Sequence, residues 1–188
     1  MESTLDKQLA GVATSFSDSK TGLSLPLKMK TAELICRLMT KRKNFGLFVI
    51  LGWQKKWQEH LDISDSQQDI FVGRHIDIMH ATPAEDRGYD VGATVDFDGA
   101  ILIDKRGVIV HSGAMIEGLR PRAVAQKLNP GHFADLSEQF GFTTKVHTRH
   151  LAAITASYIF RGTTVYTVSE ENNAFHIFEG GRIIFSNI

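Results

Sequence analysis

The chain has 188 residues, 43% apolar and 22% charged, and its 21 basic and 21 acidic side chains cancel. That composition fits one globular domain with a sizeable core and lacks the basic footprint of a general nucleic-acid binder. Cys36 is the single cysteine, which excludes an internal disulfide.

No run of eighteen apolar residues marks a membrane span, and the N-terminus lacks a basic-then-apolar secretion signal. A soluble, cytoplasmic protein is expected, with neither a nucleic-acid nor a membrane partner. Leu5, Leu9, Val12 and Phe16 form one apolar stripe on a first helix over 4–17. A polar break with Gly22 follows, then Pro26. Residues 1–30 therefore read as a helical appendage to a domain over 31–188. Packing on its own domain is favoured over a role in self-association. A second helix is predicted from about Thr31 to Arg42, with Leu34, Ile35, Leu38 and Met39 as its core stripe. Cys36 lies off that stripe's centre and reads as a small buried or half-buried side chain, not a nucleophile. Lys41-Arg42-Lys43 suits a helix C-terminus.

Phe45 to Leu51 is a near-continuous apolar run bounded by Gly46 and Gly52, the pattern of a strand covered on both faces. A helix feeding such a strand argues for an α/β fold with a mixed parallel and antiparallel central sheet flanked by helices. Trp53 to Leu61 reads as a helix with Trp53 and Trp57 packed in the core. Short strands are expected at Ile70 to Val72 and His75 to His80, and a charged loop over Pro83 to Asp90. Val95 to Val110 reads as a hairpin turning at Asp104-Lys105-Arg106-Gly107. Arg120 to Leu128 is a helix that Asn129-Pro130-Gly131 ends, and His132 to Thr144 is a polar segment. Thr163 to Val168, Ala174 to Phe178 and Ile183 to Phe185 read as an antiparallel meander.

Two stretches carry candidate chemistry. Thr148-Arg149-His150 opens a predicted helix, with Thr148 as N-cap and Leu151, Ile154 and Ile159 as apolar positions. A helix N-terminus offers unpaired N–H groups and a positive dipole end, so phosphate is a fitting ligand. Arg149 adds a guanidinium suited to bidentate phosphate recognition. Asp98-Gly99-Ala100 stands at the mouth of the apolar strand Ile101-Leu102-Ile103. A carboxylate there, with an anion cradle at the helix start, suggests metal-assisted phosphate chemistry. Taken alone, Asp98-Gly99 is also an ordinary strand-start turn, and Ser169 and Glu170 an ordinary strand end. No Gly-x-x-x-x-Gly-Lys-Ser/Thr and no Gly-x-Gly-x-x-Gly is present, which excludes a P-loop enzyme and a Rossmann oxidoreductase.

Asp98-Gly99-Ala100, then Thr148-Arg149-His150, then Val168-Ser169-Glu170-Glu171, in that order, resemble the diadenylate cyclase domain family over about residues 31–188. The resemblance implies a nucleotidyltransferase that condenses two ATP into cyclic di-AMP and pyrophosphate, with one ATP on each of two face-to-face protomers. It implies a homo-oligomer, ATP or another adenine nucleotide as ligand, and Mg²⁺ or Mn²⁺ as cofactor. Asp98, Arg149 and His150 would be catalytic, with Asp98 and His150 at the metal. Gly99, Ala100, Thr148, Arg149, Ser169 and Glu170 would hold the nucleotide. The family pattern Gly-Thr-Arg-His-Arg is His147-Thr148-Arg149-His150-Leu151 here, and both departures touch the triphosphate cradle. A catalytically weak or inactive nucleotide sensor is the alternative.

Overall fold

The computed structural model describes residues 4–63, 67–71, 76–80, 94 and 97–188. Helix α1 (Thr4–Ser15) buries Val12, with Phe16 just beyond it. Helix α2 (Leu25–Lys41) starts earlier than the apolar stripe predicts. Ser24 caps it by accepting from the Leu27 N–H, and Pro26 lies in its first turn. Proline's missing N–H has no helical partner at that position, so Pro26 opens the helix and does not break the chain before it. The division expected at residue 30 falls inside α2. Val12 and Phe16 share one apolar cluster with Leu27, Ile35 and the sheet.

Strands β1 (Leu47–Trp53), β2 (Leu61–Asp62), β3 (Ile76–Asp77), β4 (Ala100–Asp104), β5 (Val108–Ile116), β6 (Thr164–Val168), β7 (Phe175–Glu179) and β8 (Arg182–Ser186) form one mixed sheet among the described residues. The order is β2-β5-β4-β1-β6-β7-β8, with β3 also on β5. Only β1 and β4 are parallel; every other described pairing is antiparallel. Helices cover both faces, so the α/β class read from the sequence is the one that forms. Leu47, Val49 and Leu51 face α1 and α2. Phe48 and Ile50 face the opposite layer of α3 (Pro121–Leu128), α4 (Leu136–Phe140) and α5 (Thr148–Ile159). Burial on both sides is why β1 reads as a continuous apolar run.

Three local expectations are corrected. Trp53 to Leu61 is not one helix: Trp53 ends β1, and Lys55–His60 is a 3-10 turn leading into β2. Gly52 (φ 95°) sits where the β1–β4 register shifts. The irregularity turns Trp53 onto the Phe48 face, against Trp57 and Phe160, where strict alternation would have placed it on the other. Ile70 and Phe71 lie in a turn, and the strand expected from His75 to His80 is reduced to β3; Val72 to His75 lie outside the described residues. The charged loop at 83–90 also lies outside them. The polar segment from His132 contains α4, capped by Asp135 accepting from the Glu138 N–H and closed by Gly141 in the left-handed conformation. The hairpin and the C-terminal meander form as expected.

A buried ion pair ties the first helical layer to the sheet. Lys28 Nζ lies 3.1 Å from Glu179 Oε1, both side chains under a tenth exposed. Ser19 and Thr164 donate to the same carboxylate at 2.6 and 2.7 Å, and the Tyr166 hydroxyl donates to the Lys28 carbonyl. Lys28→Ala leaves that carboxylate buried with neutral donors alone, so it should lower stability by about 3–5 kcal/mol. Urea unfolding measures this; a loss under 1 kcal/mol would mean that water replaces the ammonium.

Candidate functional site

The amino ends of β1 and β4 lie side by side because the two strands are parallel. Strand β6 is antiparallel to β1, with Val168 opposite Leu47, so its carboxyl end arrives at the same place. The start of α5 stands above them. The cleft between these ends is lined by Gly46, Phe48, Phe97, Gly99, Gly113 and Arg149. The Asp98, Arg149 and Glu170 stretches, far apart in sequence, therefore converge on one end of the sheet.

Arg149 Nη1 pairs with Glu170 Oε1 at 2.8 Å, directly over Gly46. A Cβ at Gly46 would collide with both the guanidinium and the carboxylate. A second, more exposed pair, His147 Nε2 to Glu171 Oε2 at 3.1 Å, joins the same two segments. Gly99 has φ 89°, and a Cβ there would stand 2.7 Å from the Gly113 carbonyl carbon. Only glycine fits that approach of β4 to β5. Asp98 is exposed and Ala100 is buried; neither lines the cleft, which their neighbour Gly99 does. The cleft is nearly shut: its free volume is about 10 Å³, room for roughly one water.

The remaining expected residues are placed differently. Thr148 is the first residue of α5 and not its cap; His147 is the cap, and its carbonyl accepts from the His150 and Leu151 N–H groups. Thr148 is exposed and does not line the cleft. His150 is 6% exposed and turned into the molecule. Its ring packs edge-on to His176 at 4.9 Å and to Phe142 at 6.1 Å, and its Nε2 has no hydrogen-bond partner. Burial, with His176 beside it, holds its pKa down to about 4. Ser169 shapes the β6–β7 turn by accepting from the Glu171 N–H through its hydroxyl. Leu151 is half-buried and packs against the second apolar cluster. Cys36 is buried, which pushes its thiol up to about 12 and fits the inert reading.

The expected metal pair thus reduces to Asp98. His150 does not fit as its co-ligand, because its free nitrogen is enclosed with His176 and Phe142. No group of three histidine, cysteine or carboxylate side chains suited to a metal forms among the described residues. A single carboxylate with substrate phosphates is still a known way of holding Mg²⁺. Gly46, Phe97 and Gly113 were not singled out as cleft residues from the sequence. Of these, only Gly46 carried a signal, as the glycine opening a buried strand.

No protein-family model matches the chain, and no curated protein matches it. Among solved structures that match is a hypothetical membrane spanning protein from Bacillus cereus. It shares 15% identity and a TM-score of 0.48, over 83% of this chain and 60% of that one. The chain thus spans less than two thirds of that structure's length. Another is a double mutant of DacA from Staphylococcus aureus, at 16% identity and TM-score 0.47 over 86% of each chain. A likeness at this level says nothing of activity. No helix among the described residues is long and apolar enough to cross a membrane.

The buried histidines make stability depend on pH. Burial also lowers His176 to about 4. Between pH 4 and the unfolded value of 6.5, the unfolded chain binds protons that the folded chain refuses. Stability is therefore full above pH 6.5 and falls as pH drops toward 4, by at most about 3 kcal/mol per imidazole. His176→Phe should flatten part of this slope. Urea midpoints of the two proteins, compared from pH 7 to pH 4, test it; parallel curves would refute it.

Proposed function

We propose that the cleft at the amino ends of β1 and β4 holds the triphosphate of an adenine nucleotide, and that the chain is a diadenylate cyclase-like nucleotidyltransferase. The observation that supports this reading is the convergence of Gly99, the neighbour of Asp98, with Arg149 and Glu170 around Gly46. Arg149 is the cation available to phosphate. Its present partner, Glu170, is more than half exposed. An exposed pair of that kind contributes about 0–1 kcal/mol, so a multiply charged phosphate can displace it. Gly46 leaves space where the guanidinium must move.

In the proposed reaction the 3′-hydroxyl of one ATP attacks the α-phosphate of the other. Asp98 accepts the hydroxyl proton, and pyrophosphate leaves. The same step in reverse sense closes the ring, so two ATP give one cyclic di-AMP and two pyrophosphates. Each chain supplies one nucleotide site, so two chains must meet face to face. Asp98 and phosphate oxygens would hold Mg²⁺ or Mn²⁺, which neutralises charge on the phosphates when bound. The second reading, a nucleotide sensor with weak or no turnover, is favoured by Leu151 and His150. Leu151 supplies no second cation, and His150 faces the core.

Incubation with ATP and Mn²⁺, with mass spectrometry for cyclic di-AMP, separates the two readings. Asp98→Asn should abolish product while ATP still binds; undiminished product from this variant would remove Asp98 from the reaction. Arg149→Ala should weaken ATP by about 1.5–3 kcal/mol, for one charge-assisted contact, and AMP far less. Calorimetry giving equal losses for the two nucleotides would overturn the placement of Arg149 beyond the α-phosphate.

A further inference from the structure

A second cavity lies at the opposite end of the parallel pair, at the carboxyl ends of β1 and β4. Phe48 lines the first cleft and Trp53 the second, five residue steps apart on β1, about 17 Å of extended chain. It encloses about 630 Å³, with Trp53, Lys55, Lys105, Arg106, Val110 and His111 among its walls. That volume is typical of small-molecule sites, and the carboxyl ends of parallel strands are where open α/β sheets receive ligands.

The charge of its described walls is positive. Arg106 is spent on Asp104, donating through Nε at 2.9 Å with Nη2 at 2.8 Å, so these two cancel. Lys55 and Lys105 remain, and neither makes a hydrogen bond or ion pair among the described residues. Trp53 and Val110 supply apolar wall. Against them stands an oriented imidazole. His111 Nδ1 lies 2.8 Å from Asp69 Oδ2, and the Asp69 side chain is 2% exposed. Its other oxygen accepts from the Ser112 N–H at 3.0 Å. A carboxylate only accepts, so Nδ1 carries the proton and Nε2 is the free atom of a fixed ring. Fastening the loop at 67–71 does not require this histidine. Ser112 already does so, accepting from the Ile70 N–H and donating to the Gln68 carbonyl.

We propose that this cavity binds a small organic anion. Lys55 and Lys105 hold its phosphate or carboxylate, Trp53 and Val110 pack its apolar or aromatic body, and His111 Nε2 receives a hydroxyl or N–H from it. The site is separate from the nucleotide cleft and does not depend on that reading.

The probe is 4-hydroxyphenyl phosphate, titrated into the full chain. Binding is followed by calorimetry and by the NMR resonances of the Trp53 indole N–H and the His111 ring nitrogens. Both residues should shift in step with a saturable heat. A Lys55→Gln/Lys105→Gln double variant, both positions being exposed, should bind roughly tenfold more weakly or worse while melting like the parent. Arg149→Ala should bind the probe like the parent. Absence of saturable shifts at Trp53 and His111 overturns the proposal, as does an unchanged affinity in the double lysine variant. Loss of binding in Arg149→Ala alone would assign the probe to the first cleft and overturn it equally.

Discussion

Every residue of β1 is buried, and its two edges are taken up by β4 on one side and β6 on the other. Nothing in this strand can move without exposing apolar surface or orphaning backbone groups. The pairing with β4 is parallel, so both amino ends fall together and both carboxyl ends fall together. Two clefts result, one at each end of the same rigid pair. A glycine serves each end. Gly46 leaves the space that the Arg149–Glu170 pair fills, and Gly52 turns Trp53 toward Trp57 and Phe160.

Helix α5 presents its residues to the first cleft by simple geometry. Neighbours on a helix point about 100° apart, so Arg149 and His150 cannot share a direction. His150, Ala153, Ile154 and Ser157 share one buried face, and Thr155 and Ala156 are buried beside it. Small side chains there bring the helix close to the sheet, and Ser157 accepts from the Gly181 N–H at 3.0 Å. His150 belongs to that face, and this leaves Arg149 for the cleft. The positions 150, 153, 154 and 157 carry this spacing in the sequence itself. Reading His150 as a metal ligand set the tripeptide above the period of the helix that contains it.

The sheet was legible for a physical reason. Burial on both faces writes a continuous apolar run, as in Leu47 to Leu51, and β-branched enrichment marks the meander, as in Thr164 to Val168. The convergence of Asp98, Arg149 and Glu170 was legible only as an order of short motifs, because no local pattern encodes the parallel pairing that joins them. Pro26 misled the reading of the N-terminus, since proline punctuates chains and opens helices with equal ease. The buried Lys28–Glu179 pair had no signature either. A lysine and a glutamate far apart in sequence look like two solvated charges until the fold removes water from both. The Asp69–His111 pair was hidden for the same reason.

The first cleft as it stands admits about one water, while the second has the volume of a ligand site. The difference lies in what closes them. Over Gly46 the closure is a pair between the half-buried Arg149 guanidinium and the exposed Glu170 carboxylate, whose stability in water is small and is screened by salt. The backbone beneath it is fixed: Gly99 is pressed against Gly113 and Ala114, and Leu47 is buried in the strand. On the proposed reading, Arg149 exchanges one anionic partner for another over this floor. A polyphosphate presents more negative charge than one carboxylate, and it can also meet the unpaired N–H groups at the start of α5. Glu170 is then released into water, where its charge is cheap to leave. A rigid floor with a weakly held polar cover suits the proposed charged ligand.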